Sequence, residues 1–167
     1  MYNKKYKLTL FINQRGPNNM QISMKCSVAI HCLIFINEAQ GKVKITSKLL
    51  SQSTGCNPVI IRNILSKLKK AGIISVKQGT GGATLCKEPS EINIFMIYHA
   101  LEPQGLNSLI GIHSCEEGKC PIAKNIRGVL EEPYMQVQKA VEDSMKSITL
   151  DTLIDKYHEL SEKGHDY

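Results

Sequence analysis

The chain has 167 residues, which suits one domain or one domain with an appendage. Hydrophobic residues make up 42% of it and charged residues 22%, values that exclude wholesale disorder and collagen-like or low-complexity classes. The longest apolar run, 27–36, is far shorter than the roughly 18 residues of a membrane span, and residues 1–19 do not resemble a secretory signal. The six cysteines are scattered through a chain that is large enough to fold without disulfides. We therefore expect a cytoplasmic protein with reduced thiols and no membrane contact.

Charge is divided unevenly along the chain. Residues 1–20 carry four basic and no acidic side chains, residues 21–90 carry ten basic and two acidic ones, and residues 91–167 carry seven basic and thirteen acidic ones. A basic N-terminal half joined to an acidic C-terminal half is typical of a polyanion-binding module attached to a segment that does not touch the polyanion. Nucleic acid is the first candidate for that polyanion, and a merely solvated basic face is the alternative.

The first ordered element predicted along the chain is a helix. Residues 1–19 have weak periodicity and are interpreted as a flexible leader. From Met24 onward, apolar residues recur at three- and four-residue spacing until Gly41, which predicts a largely buried helix. Cys26 and Cys32 fall on this apolar helix, so we interpret each of them as a small core residue and not as a ligand.

Two further helices are predicted, each with its own capping residue. Thr46 can cap a short helix over 47–53. Asn57 is a good N-cap for the next helix, because Pro58 follows it at the first helical position. The apolar positions of that third helix follow the i, i+3, i+4, i+7 rule up to Gly72.

A β-hairpin and a fourth helix follow these three helices. Residues 73–77 are β-rich, residues 78–82 form a Gly-containing turn, and residues 83–86 return as the partner strand. The turn lacks the Gly-Lys-Ser/Thr ending of a phosphate-binding loop and precedes a strand, which argues against nucleotide binding. The fourth helix is predicted over 92–101.

The C-terminal part of the chain predicts one long helix and one short helix. An irregular stretch over 105–119 leads into a helix over 122–145, which Pro133 is expected to kink or divide. Thr149 caps the last short helix. Apolar residues near the end of the long helix exceed what the small domain needs for its own core, which predicts a dimer interface. These residues are Val137, Val141 and Met145.

Helix, short helix, turn, helix and hairpin is the order of a winged helix-turn-helix, so the predicted fold is mainly α with a small β-hairpin wing and a long C-terminal dimerisation helix. In that fold the second helix of the pair enters the major groove of DNA, and the wing lies against the backbone or a neighbouring groove. Arg recognises guanine edges and Asn recognises adenine edges, whereas Lys mostly contacts phosphates.

We assign base or groove contacts to residues at the start of the third helix, namely Asn57, Val59, Arg62 and Asn63. Backbone or wing contacts are assigned to Thr46, Ser47, Lys48, Lys69, Lys77 and Gln78. The alternative is that Arg62 and Asn63 belong to a solvated face. A function of another class, a protein-binding adaptor built on a winged helix, also stays open. No Ser-His-Asp order, paired carboxylate site or nucleotide loop predicts an enzyme.

The sequence resembles the Rrf-type winged-helix regulators over residues 20–160. The residues that carry the resemblance are Ile45-Thr46, Leu50, Gly55, Ile61, Leu65, Leu68, Lys70-Ala71-Gly72-Ile73-Ile74, Gly79, Gly81-Gly82, Leu85 and Ile148-Thr149-Leu150. The resemblance implies a bacterial transcription factor, usually a repressor, that binds double-stranded DNA as a homodimer on a palindromic operator. It also implies that the long C-terminal helix crosses its twin to form the dimer. Gln78 stands where the family commonly has Arg, and Thr84 where it often has an aromatic residue, so weaker wing contacts are expected.

The resemblance divides the chain into segments with separate roles. The expected segments are a leader at 1–19, the winged helix-turn-helix domain at 20–102, a loop at 103–121, the dimerisation and C-terminal helices at 122–160, and a tail at 161–167. The effector is not identified by the sequence.

The ligand set of an iron-sulfur cluster is incomplete in this sequence. Members of the family that bind a cluster carry three cysteines in the loop before the long helix, whereas this chain has Cys115 and Cys120 only. His113 could supply a third ligand, but a fourth donor is missing for a cluster or a zinc ion. We therefore expect no cofactor and no metal site, as in the cluster-free branch of the family, and leave a cluster or a thiol switch at Cys120 as alternatives.

Overall fold

The computed structural model describes residues 24–77, 82–103, 106 and 120–163. Its elements, in chain order, are α1 (Met24–Ala39), α2 (Ser47–Thr54), α3 (Pro58–Lys70), β1 (Ile74–Lys77), β2 (Gly82–Leu85), a 3-10 turn (Pro89–Glu91), α4 (Ile94–Leu101), α5 (Pro121–Ser147) and α6 (Leu150–Glu162). The mainly α architecture with a two-stranded wing is confirmed. Within the described ranges, no helix is long and apolar enough to cross a membrane.

Local capping sets the bounds of the helix-turn-helix. The Thr46 side-chain oxygen accepts a hydrogen bond from the Leu49 N–H at 3.2 Å, and this satisfies an N–H in the first turn of α2. Gly55 ends α2 in the left-handed conformation, with φ at 68°. The Asn57 side chain then accepts from the Val59 N–H at 2.8 Å and starts α3. The two predicted capping residues are confirmed.

The core lies between α1, α3 and α4, with α2 and the wing closing it. α1 contributes the fully buried Leu33 and Ile36 together with the buried thiols Cys26 and Cys32. Burial, together with the nearby Cys56 thiol, raises the pKa of Cys32 to about 12, so this thiol stays protonated and unreactive at neutral pH. The prediction that Cys26 and Cys32 are core residues is confirmed.

The wing is a short antiparallel hairpin that is anchored at its base. Its register pairs Ile74 with Leu85, and the Ser75 and Thr84 hydroxyls hydrogen-bond across the strands at 2.8 Å. The strand predicted at 73–77 is one residue out at its start, and the strand predicted at 83–86 is one residue out at both ends. The Cys86 N–H still donates to the Ile73 carbonyl oxygen at 3.0 Å.

The wing also contacts the residue that leads into α2. The Ala83 N–H donates to the carbonyl oxygen of the buried Ile45 at 3.0 Å. Gly82, with φ at +73°, makes this approach possible, because a Cβ there would lie 2.7 Å from the Ile45 nitrogen. The orientation of the wing relative to the helix-turn-helix therefore depends on Gly82.

Residues at the start of α4 connect the end of α5 to the domain. α4 begins at Ile94 and not at residue 92, because Asn93 is its N-cap and accepts from the Met96 N–H at 2.9 Å. The Ile94 N–H donates to the Ile148 carbonyl oxygen at 3.0 Å, and the Leu150 N–H donates to the Ile92 carbonyl oxygen at 2.7 Å. These two bonds fix the direction in which α5 leaves the domain.

α5 is a single helix of 27 residues, so at 1.5 Å per residue it is about 40 Å long. Pro133 was expected to kink or divide this helix; the division is wrong, since the helix is continuous from Pro121 to Ser147, and the kink stays a prediction. A proline removes one backbone hydrogen bond, and the long helical segments on both sides tolerate that loss. Among the described residues, α5 contacts its own domain mainly through α4.

The predicted dimer residues of α5 divide into two groups. Met145 is buried and Val141 is half-buried against the domain's own core. The prediction that Met145 is not needed for that core and belongs to a dimer interface was therefore wrong. The apolar spacing could not show this, because the bridge that brings Met145 against α4 is formed by residues far apart in sequence. Val137, by contrast, is 48% exposed.

Candidate nucleic-acid interface

The solvent side of α3 presents a continuous mixed polar surface. Ile61, Ile64, Leu65 and Leu68 bury one side of the helix completely or nearly so. Helical spacing of 3.6 residues per turn then puts a second set of residues on the other side. This set, here named the outer face of α3, consists of Val59, Arg62, Asn63, Ser66 and Lys70, and all five are exposed.

The outer face matches the chemistry of groove readout. Arg62 offers a planar set of donors and Asn63 offers a donor and an acceptor, the two side chains that pair bidentately with guanine and adenine. Val59 is 55% exposed in the first turn of α3 and adds an apolar group of the kind that contacts a thymine methyl. Ser66 and Lys70 extend the same face by one and two turns.

Thr46 and Asn57, both predicted to contact DNA, have a structural role in this chain. The side-chain oxygen of each caps a helix through a backbone N–H. The Asn57 side chain is exposed and its amide NH2 is the group that can face a ligand, whereas Thr46 is half-buried. Their predicted contacts with DNA stay predictions.

Ser47 and Lys48 lie at the N-terminal end of α2, a favourable place for a phosphate. Lys48 is exposed and Ser47 is half-buried in the first turn, which contains no acidic residue. Backbone N–H groups at a helix N-terminus and the helix dipole both favour an anion at this end. A DNA phosphate could therefore contact the start of α2 and the ammonium group of Lys48 together.

Two lysines near the end of α3, Lys67 and Lys69, differ in whether a bond within the domain engages their ammonium group. Lys69 is exposed on the flank of the outer face nearer to Arg62. Lys67 is on the other flank, where its Nζ donates to the Leu101 carbonyl oxygen at 2.5 Å and holds α3 against the end of α4. Lys67, to which the sequence assigned no DNA contact, thus has a bond within the domain. Its partner could not be identified from the sequence, because the two residues are 34 positions apart.

The predicted wing contacts are only partly within the described residues. Lys77 is exposed at the end of β1, opposite Gly82. Gln78 lies outside the described residues. Lys87, which the sequence prediction did not select, is exposed just beyond β2. The signal for Lys87 in the sequence is its place directly after the predicted wing strand 83–86.

All charged side chains in the segment that contains the helix-turn-helix and the wing are basic. Residues 39–87, which include α2, α3 and both wing strands, contain nine basic side chains and no acidic one. A segment whose charged side chains are all positive attracts a polyanion and repels a basic partner. The acidic side chains lie in the segments before and after it, including the exposed sides of α5 and α6.

The predicted thiol and cluster residues are mostly outside the described residues. His113 and Cys115 are not within them, so the absence of a cluster stays a prediction. Cys120 is described: it is exposed and is the N-cap residue of α5. In the part of the chain that the structure describes, no group of three or more His, Cys, Asp and Glu side chains could hold a metal ion.

Sequence comparisons agree with a helix-turn-helix regulator. The profile of the Rrf2 family, described as iron-dependent transcriptional regulator, matches residues 22–156. YwnA of Bacillus subtilis (strain 168), which bears the name of an HTH-type transcriptional regulator, is 35% identical over 129 residues. The match covers 77% of this chain and 93% of YwnA.

Structural comparisons give the same fold. A crystal structure described as that of a DNA-binding protein shares 32% identity with a TM-score of 0.62, over 78% of this chain and 98% of that chain. IscR of T. potens shares 22% identity with a TM-score of 0.62, over 86% of this chain and 93% of that chain. CymR of B. subtilis shares 22% identity with a TM-score of 0.59, over 81% of this chain and 97% of the CymR chain. The latter two matches support the fold alone.

Proposed function

Since the chain belongs to the Rrf2 family of transcriptional regulators, we propose that it is a homodimer that represses transcription by binding a palindromic operator in double-stranded DNA. The family and the similar proteins are regulators of transcription and not enzymes. The single observation that carries the proposal for this chain is the acid-free basic surface of residues 39–87, with Arg62 and Asn63 exposed on the outer face of α3.

We propose that the outer face of α3 reads bases and that the surrounding lysines hold phosphates. Arg62 and Asn63 are in the first half of α3, the part of a recognition helix that reaches deepest into the major groove. Lys48 on α2 and Lys77 on β1 lie on the elements before and after α3, where the two sugar-phosphate backbones would pass. Two-fold pairing then presents the same surface to two half-sites with centres about 34 to 36 Å apart, or a multiple of that.

The dimer is proposed from the unpartnered side of α5. Ile122 is 72% exposed, Val129 63% and Val137 48%, although all three are on one side of the helix. The apolar stripe of α5, as we name this side, consists of Ile122, Ile126, Val129, Leu130, Pro133, Val137 and Val141. Four members of the stripe are exposed and three are half-buried in the single chain, and an exposed apolar stripe of this length favours association with another apolar surface. A second copy of α5 would supply such a surface by symmetry.

Replacing Arg62 by Ala tests the base-reading role. The operator is first obtained by selecting bound sequences from random duplex DNA. We expect Arg62→Ala to lose about 1 to 3 kcal/mol of binding to that operator and much less on random duplexes, because a bidentate base contact discriminates between sequences. Lys48→Ala is the matched control, and it should weaken binding to both kinds of DNA by similar factors and reduce the salt dependence. Fluorescence anisotropy titrations measure the affinity of each of the two variants for the operator and for random duplexes. Repeating them at several salt concentrations gives the salt dependence.

Two outcomes would contradict this assignment. An equal loss on operator and random DNA for Arg62→Ala would make Arg62 a phosphate contact. Binding of the unmodified protein that does not weaken as salt rises would contradict DNA recognition by this basic surface, and would favour the protein-binding adaptor.

A further inference from the structure

A groove lies beside the outer face of α3, where this helix meets the start of α1 and the end of α4. Its volume is about 360 Å³, which is within the range of small-molecule sites. Lys25 on α1 and Leu101 on α4 line it together with five side chains of α3. One wall of the groove therefore belongs to the helix that is proposed to read DNA.

Part of the groove lining is apolar. Ile60, Ile64 and Leu101 contribute this part, and Ile64 and Leu101 are also buried in the core. Ile60 precedes Ile64 by one helical turn and lies on the flank of α3, between its buried side and its outer face. The Ile60 side chain is 45% exposed. The groove thus presents apolar surface that a ligand could cover.

Two lysines line the same groove. The Lys67 ammonium group donates to the Leu101 carbonyl oxygen at 2.5 Å, and this bond uses one of its three N–H donors. The Lys25 Nζ lies 3.8 Å from the Glu102 Oε1, and these two side chains are 57% and 37% exposed. An exposed ion pair at that distance contributes little stability. A second carboxylate can therefore approach Lys25 at small cost.

We propose that this groove binds a small organic acid that has an apolar part. The carboxylate would bond to Lys25 and Lys67, and the apolar part would cover Ile60 beside Ile64 and Leu101. Apolar walls with a few polar groups that fix orientation are the usual composition of a small-molecule site. An inorganic anion or a DNA phosphate would use the lysines but would leave the apolar wall in water, so an amphipathic acid is the better match.

The position of the groove connects this ligand to DNA binding. Asn63 and Ser66 line the groove and also belong to the outer face of α3. A bound acid would restrict Asn63, one of the two side chains proposed to read bases. Because coupling between two ligands is reciprocal, an acid that weakens DNA binding is itself bound more weakly in the presence of DNA. This effect on DNA rests on the proposed function, whereas binding of the acid does not.

Calorimetric titration of the full-length protein with sodium octanoate and with phenylacetate tests the site. Octanoate carries both a carboxylate and an apolar chain. Acetate has the charge without the chain, and 1-octanol has the chain without the charge. We expect octanoate to bind and the two partial probes to bind about 10-fold more weakly or worse, because each lacks one of the two kinds of contact. Phenylacetate, a second amphipathic acid of different shape, shows whether the apolar wall accepts a ring.

Two variants each remove one part of the site. Lys25→Met should weaken octanoate binding about 10-fold, and Ile60→Ser about 5-fold. The matched controls are Lys42→Met and Val59→Ser, since both residues are exposed and neither lines the groove. Their affinity for octanoate should equal that of the unmodified protein. Circular dichroism shows whether each variant is folded.

Anisotropy titrations with the selected operator then measure the effect on DNA. Octanoate should weaken operator binding by the unmodified protein, and a 10-fold higher concentration should be needed for the same effect on Lys25→Met. Octanoate binding that leaves operator affinity unchanged would overturn the effect on DNA. A protein that binds octanoate but no DNA would contradict the proposed function and leave the acid site standing.

Three results would overturn the acid site itself. The first is that neither octanoate nor phenylacetate binds. The second is an equal loss of octanoate affinity in the two variants and in their controls. The third is that Lys25→Met binds octanoate normally but binds both operator and random DNA more weakly without any acid, which would make Lys25 a phosphate contact.

Discussion

Replacing Val137 by Glu is expected to convert the dimer into monomers and to weaken operator binding about 100-fold or more, which corresponds to about 2.7 kcal/mol. Val137 belongs to the apolar stripe of α5, and by symmetry the change buries two unpaired carboxylates at the interface. It is 48% exposed in the single chain, so the domain's own core does not depend on it. Sedimentation and anisotropy titration measure the two effects, and thermal unfolding shows whether the domain is intact.

Met135→Glu is the matched control for this prediction. Met135 is also exposed, at 59%, and helical spacing puts it on the side of α5 opposite to Val137. The same charge introduced there should leave the dimer and the operator affinity unchanged. If both variants stay dimeric, or if both become monomeric, the apolar stripe is not the dimer interface. A charged residue at Val141 is less informative, because Val141 also packs against its own domain.

Replacing Gly82 by Ala is expected to lower the free energy of unfolding by about 2 to 4 kcal/mol, combining a left-handed backbone penalty with a steric clash. The new Cβ would lie 2.7 Å from the Ile45 nitrogen and 2.8 Å from its carbonyl oxygen, both of which are backbone atoms. Relief of this clash requires the wing to move away from Ile45, so the hydrogen bond from the Ala83 N–H would also be lost. Urea denaturation measures the change in stability.

Gly41→Ala separates the two causes. Gly41 has a similar φ of +78°, but a Cβ there meets nothing within 4 Å. This variant should therefore show the backbone penalty alone, about 1 kcal/mol. Equal destabilisation of the two variants would show that the close approach of Gly82 to Ile45 contributes nothing. If the wing contacts DNA as proposed, Gly82→Ala should also reduce operator affinity at temperatures where it is still folded.

The parts of the fold that the sequence predicted are those with local causes. Thr46 and Asn57 cap helices within three residues of themselves, and the buried stripe of α3 follows from helical periodicity alone. The start of α4 was misplaced because the residues before it bond to the segment after α5, which is more than 50 positions away. A division of α5 at Pro133 was expected because proline removes one backbone hydrogen bond. That expectation did not include the stabilising effect of the long helical segments on both sides of Pro133.

In the candidate site, too, features with local causes were predictable from the sequence, and features that depend on the packing of distant residues were not. The outer face of α3 was predictable, because exposure on a helix follows from the burial of its opposite side. The bond between Lys67 and Leu101 was not predictable, and neither was the burial of Met145, since each depends on how separate elements pack. The contacts assigned to Ser47, Lys69 and Lys77 stay predictions, as does the one assigned to Gln78.

We propose that two copies of this chain read a two-fold symmetric DNA sequence through α3. Selection of bound sequences from random duplex DNA by the full-length protein, followed by sequencing, tests it most directly. We predict an inverted repeat whose half-site centres are separated by about 10 to 10.5 base pairs or a multiple of that. Selection of a single half-site without a symmetric partner, or of no common sequence at all, would contradict the claim.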